Sequence, residues 1–478
     1  MAYRYLLILL LGLAPGVLAQ GLPDLGEAAQ ASFSNLEEKR LGDEIMREVR
    51  ADKQYYDDAE ATDYLNALGG RLVARGAQSR QDLQFFLMQD RQINAFALPG
   101  GYVGVNTGLL LAAQSESEVA GVVAHEIAHV TQRHIARILD QQKNSVVMSL
   151  AALAVAVLAA RSNPELASAS AALGQGAALQ NMLNFTREHE READRIGLQI
   201  LEGAGYDPRA MAVFFERLQR ATRVYEGGGA PSYLRTHPLT HERIADIQNR
   251  LDRLPYRQIP DTLEFQLVRA KLRAEIETPA EGRKFFAQSL AERRFLSEAA
   301  SRYGLVTSLM RSNDNARAKK EHEALRRVTG ANPLVDTLGC RIRQAAGETE
   351  NALTCYRDTL RTFPQHRALT YEYAETLLKA GRAEPALAVI ASRMQHAADD
   401  PKLYLLQARA YALQGRRLAQ HRATGEAYAR LGNVREAVEQ MQIALKSGDG
   451  DFYQISETEA RLRELRRLDE AQRKEQRR

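Results

Sequence analysis

The chain of 478 residues has no tryptophan, only two cysteines and no marked excess of charge of either sign. Two cysteines, Cys340 and Cys355, give no disulfide framework, so a small scaffold stapled by bridges is excluded. They can pair with each other, but free thiols are the expectation. Lys and Arg number 64 against 60 Asp and Glu, a formal net charge of +4. No basic strand is laced with aromatic residues, so nucleic acid is not an expected partner. Long apolar runs are also missing. The segment Val146 to Ala160 is alanine-rich, falls short of the roughly 20 apolar residues that a membrane-spanning helix needs, and is closed by Arg161, Asn163 and Pro164. It reads as one arm of a helical hairpin, with Leu166, Ala169, Ala172 and Leu173 on the return arm. That hairpin is either a lid that meets substrate or lipid, or a buried structural element.

The beginning of the chain has the form of a secretory signal. Arg4 precedes the apolar run Leu6 to Leu13, and Val17-Leu18-Ala19 ends on a small residue. Cleavage after Ala19 and export to the periplasm are the expectations, and without a lipobox cysteine a lipid anchor is not expected.

The feature that carries chemistry is His125-Glu126-Ile127-Ala128-His129, an H-E-x-x-H pentapeptide. On a helix, residues four apart share a face, so His125 and His129 can offer two imidazoles to one metal ion while Glu126 sits beside it. Zinc hydrolases use this arrangement, with an open position for water and a carboxylate to take the water's proton. Ser115 and Glu118 form a capping box at the start of the segment, and Val119, Val122, Val123, Ile127 and Val130 are separated by small residues. Such a helix is apolar nearly all round and should be buried. Two imidazoles and a carboxylate inside it would be costly unless paired or metal-bound.

A third ligand is offered by the acidic run around Glu188 to Asp194. Glu190 and Asp194 are four apart on a predicted helix that continues through Ile196, Leu198, Ile200 and Leu201, so one carboxylate can bind metal while the other supports a ligand imidazole. Upstream, Phe85 to Leu87 suggest a short strand. Phe96 to Val105 suggest two extended stretches around a Pro-Gly-Gly turn. That hairpin, with Asn94 and Phe96 as candidate contacts, can present an edge to an extended peptide or serve only as structure. Downstream, Asp207-Pro208 starts a helix striped by Met211, Phe214, Phe215 and Leu218, and a Gly227-to-Pro231 loop carries Tyr233 to His237 toward the site. Arg243 is either an oxyanion partner or a surface arginine.

Beyond residue 262 the composition becomes that of charged, alanine-rich helices. Cys340, Ala374 and Ala408 recur at intervals of 34, as do Ala352 and Ala386. That period belongs to tetratricopeptide repeats. Tyr356 and Ile390 fill the larger contact position, and Pro364 and Pro401 fall near repeat ends. Gly425, Tyr428, Gly432, Ala437, Met441 and Ala444 mark a unit in a different phase, and Tyr303, Gly304 and Ala316 a degenerate earlier one. Stacked helix pairs make a concave surface for peptide or partner protein. Arg461 to Arg478 reads as a solvated capping helix whose basic end touches anionic surfaces weakly.

His125 to His129, the E-x-x-x-D pair Glu190 and Asp194, Asn94 to Gly101, and His237-Pro238 followed by Arg243 together resemble the HtpX and CAAX-prenyl-protease group of zinc metallopeptidases. The resemblance spans most of residues 35 to 255, and the order of signal, protease and repeats is similar to a periplasmic branch concerned with outer-membrane protein quality control. It implies one Zn²⁺ per chain held by His125, His129 and Glu190. It also implies that His237 lies near the metal, stabilising an oxyanion or occupying the open position as a switch. Thr186 departs mildly from the family's usual serine. The expectation is a mainly α chain: a signal peptide at 1–19, a zincin-like α+β protease domain with a small hairpin sheet at 20–261, and an α-solenoid of repeats at 262–478. The substrates implied are unfolded or misassembled outer-membrane proteins, with the β-barrel assembly machinery engaged through the repeats. The other reading is a chaperone or scaffold in which proteolysis is secondary.

Overall fold

In the computed structural model the described residues are 34–76, 82–141, 186–224, 232–252, 254 and 259–476. The expected signal segment, the hairpin begun by Val146 to Ala160 and the Gly227-to-Pro231 loop lie outside them. Among the described residues no helix is long and apolar enough to cross a membrane.

The first half packs helices around a three-stranded sheet. Helices α1 (Asn35–Ala51) and α2 (Ala59–Gly76) precede β1 (Gln84–Met88), β2 (Ala95–Leu98) and β3 (Tyr102–Asn106). The Pro-Gly-Gly turn between β2 and β3 is a short 3-10 turn in which Gly100 and Gly101 take φ of 75° and 88°, values that side chains resist. Helix α1 lies directly on this turn, since a Cβ at Gly42 would come within 2.0 Å of the Pro99 carbonyl oxygen. The sheet order is β1-β3-β2. The hairpin β2–β3 is antiparallel, and β1 adds to β3 in parallel.

The two outer edges of the sheet are treated differently. On β1 the Asn66 carboxamide donates to the Phe85 carbonyl at 2.8 Å and accepts from the Phe85 amide at 3.1 Å, and Tyr56 N–H donates to the Leu87 carbonyl at 3.0 Å. A side chain and a neighbouring segment thus occupy the groups that another strand would use. On β2, the bond from Asn106 N–H to the Asn94 carbonyl fixes the alternation, so Asn94, Phe96 and Leu98 face β3 while the backbone groups of Ala95 and Ala97 point outward. Among the described residues no further strand pairs with that edge, which runs beside α4 (Glu116–Thr131), the helix after α3 (Thr107–Ala112), and the Ala97 N–H is directed at the Glu126 carboxylate.

Every residue of α4 from Glu116 to Val130 is buried, as its apolar circumference requires. The Ser115 hydroxyl accepts from Glu118 N–H, but the Glu118 carboxylate bonds the Gln114 amide and Arg217 rather than closing the expected capping box. Helix α5 (His134–Gln141) follows after a sharp turn, then α6 (Arg187–Gly203), α7 (Arg209–Val224), α8 (Ser232–Thr236) and α9 (His241–Leu251). The stripe Met211, Phe214, Phe215 and Leu218 on α7 is buried in the same core as Val119, Val122 and Val123. Burial of each such side chain stabilises by about 1.5–3 kcal/mol.

Twelve helices follow from α10 to α21: Leu263–Ile276, Pro279–Ala291, Glu298–Arg311, Asn315–Thr329, Pro333–Ala345, Thr349–Thr362, Arg367–Lys379, Ala383–Met394, Pro401–Leu413, Arg417–Arg430, Val434–Leu445 and Phe452–Gln476. The small residues Ala352, Ala374 and Ala386 and the larger Tyr356 and Ile390 are all fully buried between neighbouring helices. The last helix begins nine residues before the expected Arg461 and runs for 25 residues.

Two expectations are modified. Residue 262 caps α10, yet one apolar core runs on from Leu65 and Val123 through Phe265 and Leu272 to Val335, so the repeats are not a separately packed unit at their start. Charge reinforces that junction: the Lys271 ammonium lies 2.6 Å from Glu60, and Arg341 bonds Glu60 at 2.7 Å and Glu372 at 2.8 Å. The cysteines, expected as free thiols, form a disulfide between α14 and α15, with Cα atoms 5.4 Å apart. The reason is geometric. Position 340 is a close-crossing position of the repeat, and the helical hairpin brings 355 against it.

Candidate metal centre

Helices α4 and α6 cross where α6 carries a glycine. A Cβ on Gly197 would come within 3.2 Å of the His125 backbone, so glycine lets the two helices approach closely. Glu190 and Asp194 lie on the same face of α6 as Gly197, seven and three residues before it, and are therefore laid alongside the two histidines. His125 Nε2 and His129 Nε2 stand 3.0 Å apart. Glu190 faces both, its Oε2 3.5 Å from His125 Nε2 and its Oε1 3.3 Å from His129 Nε2. His237 joins them from the end of α8, with Nδ1 3.0 Å from Glu190 Oε1 and 3.4 Å from His125 Nε2. One atom from each of these four buried residues lies within 4.8 Å of the others.

The outer partners bear on whether a metal fits. His125 Nδ1 is 3.1 Å from Asp194 Oδ1, and His129 Nδ1 is 2.8 Å from His134 Nδ1. With each ring's proton on Nδ1, two Nε2 lone pairs and a carboxylate converge on one buried point. That arrangement is repulsive unless a cation sits there, and two imidazoles with a carboxylate suit a divalent transition metal. Without one, burial opposes charge on His125 but Asp194 and Glu190 outweigh it and raise its pKa to about 9. Burial instead holds His129 well below the ordinary imidazole range.

Glu126, on the same helix, is fully buried with Oε1 3.5 Å from His237 Nε2. Burial raises its pKa, opposed by His237 and His125, which suits a group that must take up and release a proton. Burial works against the charge on Glu190, but His237 and bonds from His125 and His129 keep it well below the usual carboxylate range.

The other candidates are placed as follows. Arg243, on α9, is 1% exposed and bonds Asp194 through Nε at 2.7 Å and Nη2 at 2.8 Å, while Nη1 reaches Glu190 Oε2 at 2.6 Å and the Pro238 carbonyl at 2.8 Å. It is therefore not a surface arginine; it clamps the two carboxylates. Asn94 is buried, and its carbonyl accepts from Asn106. Phe96 packs edge-on to Phe86 over Gly104, on the sheet face opposite Ala95 and Ala97, and does not join the cluster. Tyr233 stacks on His237 with ring centres 4.6 Å apart. Sequence reading missed His134 and Glu192. A further histidine five residues past the pentapeptide was their only local signal.

A buried H-E-x-x-H helix crossed by an acidic helix whose carboxylate meets both histidines is the arrangement of a metallopeptidase. The chain belongs to peptidase family M48, whose model matches residues 59–251, and a tetratricopeptide repeat model matches residues 344–410. It is 31% identical over 95% of its length to the Beta-barrel assembly-enhancing protease of Escherichia coli (strain K12), covering 92% of that protein. It is 41% identical over 52% of its length to a putative beta-barrel assembly-enhancing protease of Vibrio cholerae, covering 51% of it. It is also 32% identical over 45% of its length to the mitochondrial metalloendopeptidase OMA1 of Schizosaccharomyces pombe, covering 61% of that protein.

Proposed function

We propose that this chain is a periplasmic zinc endopeptidase that cleaves unfolded or stalled outer-membrane proteins and assists β-barrel assembly through its repeats. The observation that carries the reading is the convergence of His125 Nε2, His129 Nε2 and Glu190 on one buried point beside Glu126. Zinc bound there would polarise a water and the scissile carbonyl. Glu126 takes the proton of the attacking water and passes it to the leaving amine. Asp194 and Arg243 hold His125 and Glu190 in place. An extended client strand adds to the outer edge of β2 through the backbone groups of Ala95 and the Ala97 carbonyl, which makes binding tolerant of sequence. The outer-membrane client class rests on the relative whose name speaks of β-barrel assembly. The Cys340–Cys355 disulfide fits an exported protein, since such bridges persist in oxidising compartments.

One observation favours tight gating. His237 stands within ligand distance of the same point, where it would compete with water for the open position. In the resting state it closes the site; displaced, it assists the charged intermediate. The test is Glu126→Gln incubated with an unfolded β-barrel client. The expected result is bound zinc and an intact client, and undiminished turnover would rule out Glu126 as the base.

A further inference from the structure

The two ligand histidines are backed in different ways. His125 rests on a carboxylate, Asp194, fixed by Arg243. His129 rests on another imidazole. We infer that His134 is a positioning residue for the metal: with Glu192 and Arg137 it forms a proton-ordered relay that fixes His129 in the tautomer able to bind metal through Nε2. The inference rests on the zinc reading above.

The ordering follows from atom positions. His129 can give its Nε2 lone pair to a metal only if its proton sits on Nδ1. That Nδ1 is 2.8 Å from His134 Nδ1, so it donates only if His134 presents a lone pair there and carries its own proton on Nε2. His134 Nε2 is 3.2 Å from Glu192 Oε2, a pure acceptor, and the same oxygen accepts from Arg137 Nη1 at 2.9 Å. The row from His129 through His134 thus ends on a carboxylate that favours this order of protons. Were the row reversed, His134 would donate to His129 Nδ1, and His129 would carry its proton on Nε2 and could not be a ligand. His134 is fully buried and lies parallel to His189 with ring centres 4.5 Å apart, so its ring is held in plane by packing.

The backbone is bent to make this contact. In an unbroken helix, position 134 would point about 140° away from His129. Instead α4 ends after Thr131, and Arg133 takes φ 52° while its guanidinium bonds the buried Glu38 through Nε and Nη2, both at 3.2 Å. Helix α5 then restarts with His134 beneath His129. The left-handed conformation of a non-glycine residue is the local cost of this turn.

Substitutions that separate acceptor from ring shape test the relay. His134→Phe keeps the stack on His189 but accepts nothing, and His134→Asn places a carbonyl oxygen near the former Nδ1. Zinc affinity is read by chelator competition on the full chain, with thermal unfolding of the metal-free proteins as the folding control. The phenylalanine variant is expected to bind zinc about 10- to 100-fold more weakly, and the asparagine variant to recover most of that loss. Glu192→Leu, at the edge of the site, removes the acceptor, should weaken binding less than the phenylalanine variant and serves if that variant fails to fold. Wild-type affinity in the phenylalanine variant, or an equal loss in the asparagine variant, would overturn the relay. For the leucine variant at Glu192 the overturning result is unchanged affinity. A wild-type chain that binds no zinc would instead overturn the zinc reading itself, and the relay with it.

Discussion

Two clusters of charge are buried in this chain, and they are built to opposite ends. At the junction of the two halves, Glu60 is met by Lys271 and Arg341, and Arg341 also bonds Glu372, so each charge has an opposite partner in contact. At the crossing of α4 and α6, two imidazole nitrogens and Glu190 face one another, and their outer atoms are already taken by Asp194, His134 and Arg243. The first cluster is closed and holds the fold. The second is closed only on its outside and can hold a cation at its centre. Burial of charge alone therefore does not mark a functional site; convergence of like groups on one point does.

This contrast predicts separable effects. The largest is expected from Glu126→Gln, which should lower peptide cleavage by about 10²- to 10⁴-fold while the unfolding temperature stays within a degree or so of the parent. Arg341→Ala should do the reverse. It leaves Glu60 short of a partner in a buried site, and the expected loss is about 3–5 kcal/mol of stability by chemical denaturation with zinc content unchanged. Opening the Cys340–Cys355 bridge by a double serine substitution should cost about 3 kcal/mol on the chain-entropy account, again without loss of metal. Asn66→Ala leaves the Phe85 amide and carbonyl unmatched and should cost about 1–3 kcal/mol, with aggregation read by light scattering as the accompanying sign of an unplugged edge.

The smallest expected effect is in acid. Burial opposes charge on Glu60, but Arg341 and Lys271 hold its pKa well below the ordinary carboxylate range. A depressed folded-state pKa stabilises above the unfolded value of about 4.3 and loses that contribution as pH falls through the lower folded value. Stability should therefore decline more steeply below pH 4 in the parent than in Glu60→Gln, and equal slopes would remove Glu60 from the account.

The same contrast explains what could be read from the sequence. The pair His125 and His129 and the pair Glu190 and Asp194 are each set by four-residue spacing, so helix geometry alone brings their side chains to one face. The 34-residue interval likewise exposes the repeats, because stacking repeats a contact. The junction cluster has no such mark: Glu60 is 211 residues from Lys271 and 281 from Arg341. The bridge between Cys340 and Cys355 needed the helix crossing to be known, and the parallel pairing of β1 with β3 has no turn to announce it. Arg243 was noticed, but its bonds to Asp194 and Glu190 could not be read, since those partners lie on another helix. His134 was missed because its place depends on the left-handed turn at Arg133, which no pattern of residue types requires.

The account stands most directly on the metal. Elemental analysis of the native full-length protein, joined to an anomalous map at the zinc edge, should find one zinc per chain, bound by His125, His129 and Glu190. A stoichiometrically metal-free protein, or a metal seated away from these three residues, would contradict it.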